Sequence, residues 1–231
     1  PSIDMVSLTG GTAVGIDVVK RTADRLARTT LELGGKSPAI ILEDADLEQT
    51  MATLVPGSTS YMGQVCVSLS RVLAPASRYN EVVEALAEKY REIQFGDPLD
   101  PNSQQGPISV ERGRIRTEAH VERAKQQGAR VVTGGRRPSQ FDRGWWYEPT
   151  LLANADHSMD IIHQEVFGPV TAVVPYSDQE QAIELANDSD FGLAASIDSS
   201  DEAAAMNVAI NTAGISFMQP FGGYKKSGWG R

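Results

Sequence analysis

The sequence predicts an α/β protein. Short apolar, β-branched runs alternate with longer stretches of helical spacing, and glycine- or proline-bearing turns separate them. No internal repeat, low-complexity tract or flexible linker interrupts the alternation. One continuous α/β body is therefore expected, with residues 1–33 leaning against it or belonging to a different unit.

From the start of the chain, MVSLT (5–9) reads as a strand, and a helix begins near Thr12. TTLEL (29–33) and AIILE (39–43) read as strands around GGKSP, where Gly34, Gly35 and Pro38 are expected to preclude regular structure. Asp46 is placed to cap a helix running from about Leu47 towards Tyr61, with Pro56 in its path. RVLA (71–74) is the next strand. Val82, Val83, Leu86, Ala87 and Tyr90 form an apolar stripe at i, i+3/i+4 spacing, which predicts a helix over 79–93. GDPLDPNSQQGP (96–107) is turn-rich, and a helix from about Val110 to Gln127 stops at Gly128, a C′ glycine. VVTGG (131–135), EPTLLA (148–153), VTAVVPY (170–176) and AASID (194–198) read as strands, with helices at 178–187 and 201–210.

Composition narrows the function classes. A net charge of −9 argues against a nucleic-acid-binding surface. No apolar run approaches the ~20 residues that span a bilayer, and there is no basic-then-apolar leader. One cysteine excludes an internal disulfide, so a reducing, cytoplasmic setting is expected. Both ends read as cut from something longer: Pro1-Ser2 leads almost at once into MVSLTGGTAVG, and SGWGR stops just after a glycine-rich loop.

Four constellations can carry chemistry. LTGGTAVG (8–15) is a strand, a glycine turn and a helix start, an arrangement that suits a phosphate but is also a common turn. Cys66 in GQVC follows Gly63 and Gln64, which break the preceding helix. It is either a small buried hydrophobe or a nucleophile on irregular backbone whose N–H groups face a carbonyl substrate. Glu32 lies between two leucines: a solvent-facing strand residue, or, in a dry pocket, a general base. In HQEVFGPV (163–170), Glu165 can accept hydrogen bonds from ribose hydroxyls and Phe167 can pack against a flat ring; the alternative is a plain loop-to-strand junction. His120, His157 and His163 lack metal-ligand spacing and read as surface histidines, so no metal is expected.

LELGGKSP, GQVC, EVFGPV, ELANDSDFGLAA and PFGGYKKSG occur here in the order and at about the spacing of the aldehyde dehydrogenase superfamily, which the chain resembles over essentially its whole length. DADLEQ, GDPLDPNSQQGP and YEPTLL are weaker matches. The resemblance implies a catalytic domain with a remnant of a Rossmann-type dinucleotide-binding domain: residues 1–34 as that remnant, 35–218 as the cysteine-bearing domain, and 219–231 as a C-terminal segment. It implies oxidation of an aldehyde with NAD or NADP. Cys66 would form a thiohemiacetal and then a thioester, its own N–H serving the oxyanion, and Glu32 would activate the hydrolytic water. Gly10, Gly11, Gly15, Leu33, Glu165 and Phe167 make up the implied cofactor-binding set. A small-molecule aldehyde is the implied partner, with no nucleic acid or membrane, and the full-length protein is implied to be a homodimer or homotetramer.

Some positions depart from the family pattern. Leu8 replaces a usual Phe, Gln219 stands near a common Asn, and the segment around 215–221 is shorter than usual, as a true deletion or an omitted loop. Because the family's first Rossmann half and its oxyanion-hole Asn would precede Pro1, the isolated chain is expected to bind NAD poorly and turn over slowly. One oxyanion donor is worth about 3 kcal/mol in a comparable case. A CoA-acylating semialdehyde dehydrogenase generally lacks the base that Glu32 supplies. An esterase or phosphate-ester reductase on the same fold would keep the cysteine. A scaffold protein needs neither Cys66 nor Glu32.

Overall fold

A computed structural model describes residues 3–201 and 221–230. But for Asp201 and Phe221, the expected helix over 201–210, the GISFM strand and the short 215–221 segment with Gln219 fall outside the described residues. In chain order, the first elements are β1 (Met5–Thr9), α1 (Thr12–Ala23), β2 (Arg28–Glu32), β3 (Ser37–Ile41) and α2 (Leu47–Thr59). A 3-10 turn (Ser60–Gly63), β4 (Leu69–Pro75), α3 (Tyr79–Glu92), α4 (Glu111–Gln126) and β5 (Arg130–Thr133) come next. Then come β6 (Thr150–Ala153), α5 (Asp160–His163), β7 (Val170–Tyr176), α6 (Gln179–Asn187) and β8 (Phe191–Gly192). The last described elements are β9 (Ser196–Asp198), β10 (Tyr224–Lys225) and β11 (Gly228–Trp229).

Strands that are apolar along their length need cover on both faces, and a six-stranded sheet ordered β5-β6-β7-β4-β3-β9 provides it. β5 runs antiparallel to β6, and the other neighbouring pairs are parallel. On one face Ala39, Ile41, Val72 and Ala74 pack with Met51 and Leu54 of α2 and with Val82, Val83, Leu86, Ala87 and Tyr90 of α3. The whole predicted stripe of α3 is thus in the core. On the other face Ile40, Leu42 and Leu73 meet Val121 and Ala124 of α4, Ile161 and Ile162 of α5, and Ala182 of α6.

The structure moves several boundaries. Ser37 and Pro38, expected in a loop, belong to β3, and AIILE is strand only as far as Ile41. Proline enters because the register slips there: Ser37 pairs with Leu69 but Pro38 with Arg71, so the ladder is broken where the proline has no N–H to give. Asp46 caps α2 as expected, accepting from the N–H groups of Glu48 and Gln49, which contributes about 1 kcal/mol. α2 runs past Pro56 but stops at Thr59, short of Tyr61, because Tyr61 and Met62 adopt left-handed backbone (φ 51° and 59°).

A second, three-stranded sheet is ordered β1-β2-β11. β1 and β2 are parallel, as α1 between them requires, whereas β11 arrives from the far end of the chain and pairs antiparallel. Thr9, Glu32 and Gly228 stand in one row across it. Gly228 (φ 122°) has to be glycine, since a Cβ would lie 1.8 Å from the Leu31 carbonyl oxygen. No helix among the described residues is long and apolar enough to cross a membrane.

Candidate active site

Cys66 sits on the irregular segment between the 3-10 turn and β4. Two features fix that segment. Gly63 (φ 63°) lies against the loop before β7, where a Cβ would come within 2.3 Å of the Gly168 carbonyl oxygen. The Gln64 side chain then clasps Ser109: its Nε2 donates to Ser109 Oγ (3.0 Å), and its Oε1 accepts the Ser109 N–H (2.9 Å). Cys66 and Glu165 are thereby carried on adjacent loops of the large sheet.

Glu32 ends β2 of the small sheet, and the next residues, Gly34 and Gly35, close the gap. A Cβ on Gly35 would stand 2.1 Å from the Cys66 carbonyl oxygen; one on Gly34 would stand 2.4 Å from Glu165 Oε2. The Gly35 N–H donates to Glu165 Oε1 at 3.0 Å. Only side-chain-free backbone fits between the cysteine loop and the carboxylate, which gives the GG of LELGGKSP its physical reason.

The electrostatics follow from this crowding. Burial pushes the Cys66 thiol above its ordinary value, and the charges of Glu165 and Glu32 push it further. The N–H groups of Cys66 and Val67 oppose the shift. Cys66 is therefore a thiol at neutral pH, and a thiol in that state needs a base to take its proton before it can attack a carbonyl. Burial also raises Glu165, against the Gly35 N–H and the positive charges of Arg116 and Lys36. Buried Lys36 is brought down to about 7 by desolvation and by Arg71, against the pull of Glu165.

The six residues of the implied cofactor set do not all present themselves alike. Gly11 caps α1 with no side chain over the helix end, and nothing lies within 4 Å of where its Cβ would be. Gly10 instead spends its N–H on the Glu32 carbonyl (2.9 Å). Gly15 is buried, and a Cβ there would lie 2.7 Å from Leu33 Cδ1, so these two residues pack α1 onto β2. Leu33 gives its N–H to the Ser227 carbonyl (2.9 Å). Phe167 is half-exposed in left-handed backbone (φ 52°) beside Glu165, not in the core.

Sequence reading missed three neighbours. Arg116 of α4 holds the Glu165–Phe167 turn: its Nε donates to the Val166 carbonyl (2.9 Å), its Nη2 to the Phe167 carbonyl (3.3 Å), and its guanidinium lies 5.9 Å from the Phe167 ring centre. Lys36 and Ser227 are the others, both fully enclosed. Their only signal was membership of LELGGKSP and PFGGYKKSG. The histidine expectation is corrected. All three are half-buried; His157 and His163 pack edge to face at 5.0 Å, and His120 is brought down to about 4 by burial and by Lys36. No cluster of metal-ligating side chains occurs among the described residues.

The cavities lie beside this centre. An open groove of about 750 Å³ runs along Tyr61, Gln64, Gly106 and Phe167. A more enclosed cavity of about 450 Å³, lined by Lys36, Arg71, Phe191 and Ile197, reaches neither Cys66 nor Glu32. The chemistry identifies the site here, and cavity shape does not.

Comparison with known proteins gives the family of the chain. The sequence pattern described as "Aldehyde dehydrogenase family" matches residues 1–231. Geranial dehydrogenase of Castellaniella defragrans is 41% identical over 240 residues, covering 100% of this chain and 50% of its own length. An aldehyde dehydrogenase of Mycobacterium tuberculosis, solved with NAD+, superposes with a TM-score of 0.96 at 43% identity over 99% of this chain and 49% of that one. Betaine aldehyde dehydrogenase of Staphylococcus aureus, also with NAD+, gives 0.95 at 38% identity, over 99% and 48%. The chain thus spans about half the length of the relatives it matches.

Proposed function

Because the chain belongs to the aldehyde dehydrogenase family, we propose that it takes part in oxidising an aldehyde to a carboxylic acid with NAD(P)+, with Cys66 as nucleophile and Glu32 as base. The observation that carries the reading is the meeting of Cys66 and Glu165 on either side of Gly34–Gly35, two residues beyond Glu32. The residues present fit a dinucleotide: Gly11 leaves the N-terminus of the 12-residue α1 open to an anion, and the half-buried Glu165 carboxylate lies beside Phe167. Arg116 keeps that turn in place.

In the reaction, Cys66 Sγ loses its proton to a neighbouring carboxylate and attacks the aldehyde carbon, with the Cys66 N–H facing the developing oxyanion. When bound, NAD(P)+ supplies the hydride acceptor that turns the thiohemiacetal on Cys66 into a thioester. Glu32 then takes a proton from the attacking water, the acid leaves and the cysteine is restored. Residues 1–34 belong on this reading to the dinucleotide-binding unit, 35–218 to the catalytic unit, and 219–231 to a C-terminal segment. The whole protein would act in the cytoplasm as a homodimer or homotetramer.

The test is NADH formation by the full-length protein over a panel of aldehydes, with acid and acyl-CoA products separated. Cys66→Ala should abolish turnover. Glu32→Gln should keep the first hydride transfer but slow steady turnover by about a hundredfold or more. NADH formation that survives Cys66→Ala overturns the proposal, and acyl-CoA as sole product replaces hydrolysis with acyl transfer.

A further inference from the structure

We propose that Ser227, in the PFGGYKKSG motif, is a positioning residue that ties the segment following Glu32 to Gly192 and to the turn at Tyr224, and so holds Gly34–Gly35 in place against Glu165 and Cys66. This rests on the reading of Glu32 as the hydrolytic base. Ser227 is wholly buried, and each of its polar groups is engaged. Its Oγ donates to the Gly34 carbonyl at 2.6 Å and accepts the Gly192 N–H at 3.0 Å. Its carbonyl accepts the Leu33 N–H at 2.9 Å, and its own N–H goes to the Tyr224 carbonyl at 3.0 Å. The next residue, Gly228, pairs directly with Glu32.

The serine thus grips the backbone on the two residues that follow Glu32. Gly34 is also the residue lodged against Glu165, and its neighbour Gly35 touches the Cys66 carbonyl. Without the hydroxyl, the Gly34 carbonyl and the Gly192 N–H each lose a partner, and the Glu32–Gly35 segment can shift relative to Cys66. Misplacement by about 1 Å costs a reacting geometry up to about a hundredfold in rate. Gly223 leaves room for this turn, since a Cβ there would come within 2.5 Å of the Ser227 carbonyl oxygen.

A p-nitrophenyl ester, given to the full-length protein, tests this without any cofactor. Cys66 Sγ gives its proton to a neighbouring carboxylate and bonds to the acyl carbon, and the ester C–O bond breaks to release p-nitrophenolate, which appears as a burst. Water then hydrolyses the thioester, Glu32 taking its proton, which sets the steady rate. For Ser227→Ala, an unchanged burst with a steady rate lower by about tenfold is expected. Ser227→Thr, which keeps the hydroxyl, should recover most of that rate, and Ser227→Cys, a weaker donor of similar size, should fall between. The double variant Glu32→Gln/Ser227→Ala should be no slower than Glu32→Gln alone. If Ser227→Ala lowers burst and steady rate together, or slows the Glu32→Gln background by its full factor, the residue is merely structural and the proposal fails. If Glu32→Gln slows hydrolysis while all three Ser227 variants do not, the lock alone is wrong. If Glu32→Gln has no effect, or the unmodified chain gives no burst, the reading beneath it fails as well.

Discussion

The two sheets differ in how they are covered. β3 is buried at every position, and β4 at all but one, between helices on both faces. β1, by contrast, is exposed or half-exposed throughout, and α1 beside it leaves Val14 and Ile16 about half exposed. The large sheet carries Cys66 and Glu165; the small one carries Glu32 and the glycine turn. The proposed catalytic pairing therefore spans a well-covered sheet and a lightly covered one, joined by Gly34–Gly35 and by the Ser227 contacts. Cys66 rests on the buried sheet, and Glu32 depends on specific backbone ties.

Denaturation should expose that contrast most strongly. Leu73→Ala, at a position with no exposure, should cost about 2–5 kcal/mol in urea unfolding. Val14→Ala on α1 should stay within about 0.5 kcal/mol. Equal losses at the two sites would erase the distinction.

Lys36 gives the next largest effect, and its sign is set by proton linkage. Its folded value, about 7, lies below its ordinary 10.5, so the unfolded chain binds the extra proton between those limits. Stability tied to Lys36 therefore rises with pH across that window, and the penalty is complete below it. Lys36→Met should raise the melting temperature at pH 6, by up to a few kcal/mol of stability, and the gain should fade towards pH 10. A gain independent of pH would mean that packing, not charge, is responsible.

Gly35→Ala should cost about 1–3 kcal/mol, because its Cβ has to displace the Cys66 carbonyl. It should also slow iodoacetamide labelling of Cys66. Unaltered melting and labelling would show that the junction has slack.

Labelling against pH compares the two carboxylates themselves. The midpoint for Cys66 should lie above the ~8.5 of a free cysteine. Glu165→Gln should lower it more than Glu32→Gln, since the large-sheet carboxylate acts on the thiol more strongly. A reversed order would place the small-sheet base closer to the sulfur than the structure does. At the bottom of the scale, Asp17→Ala breaks an exposed pair with Arg21 (2.7 Å) on α1 and should shift unfolding by less than about 0.5 kcal/mol.

Local patterns carried most of the fold. The α3 stripe, the Asp46 cap and the Gly128 stop each act within a few residues, so reading along the chain recovers them. Pro38 misled because its place in β3 depends on a register slip against β4, a partner 33 residues away. The histidines misled for the same reason, since segments distant in sequence also act on them: His120 feels the charge of Lys36, and His157 bonds to Asp188.

Cys66, Glu32, Glu165 and the glycine turn could be singled out as candidates because each stands in a motif that resembles the family's, whereas the residue types alone left a plain structural alternative open at each. That Gly10 serves the Glu32 carbonyl, and that Gly15 and Leu33 pack on each other, was not legible. Nor was the work of Ser227, which bonds to Gly34, 193 positions away, and to its neighbour Leu33. The sequence by itself determined most of the long helices and the strands of the large sheet, because helix period, strand composition and caps are short-range physics, while short elements such as α5, β8, β10 and β11 escaped it. The tertiary structure alone decided which of them meet. Hydrogen bonds, glycine contacts and shifted ionisation at this site all depend on distances between segments that the order of residues does not encode.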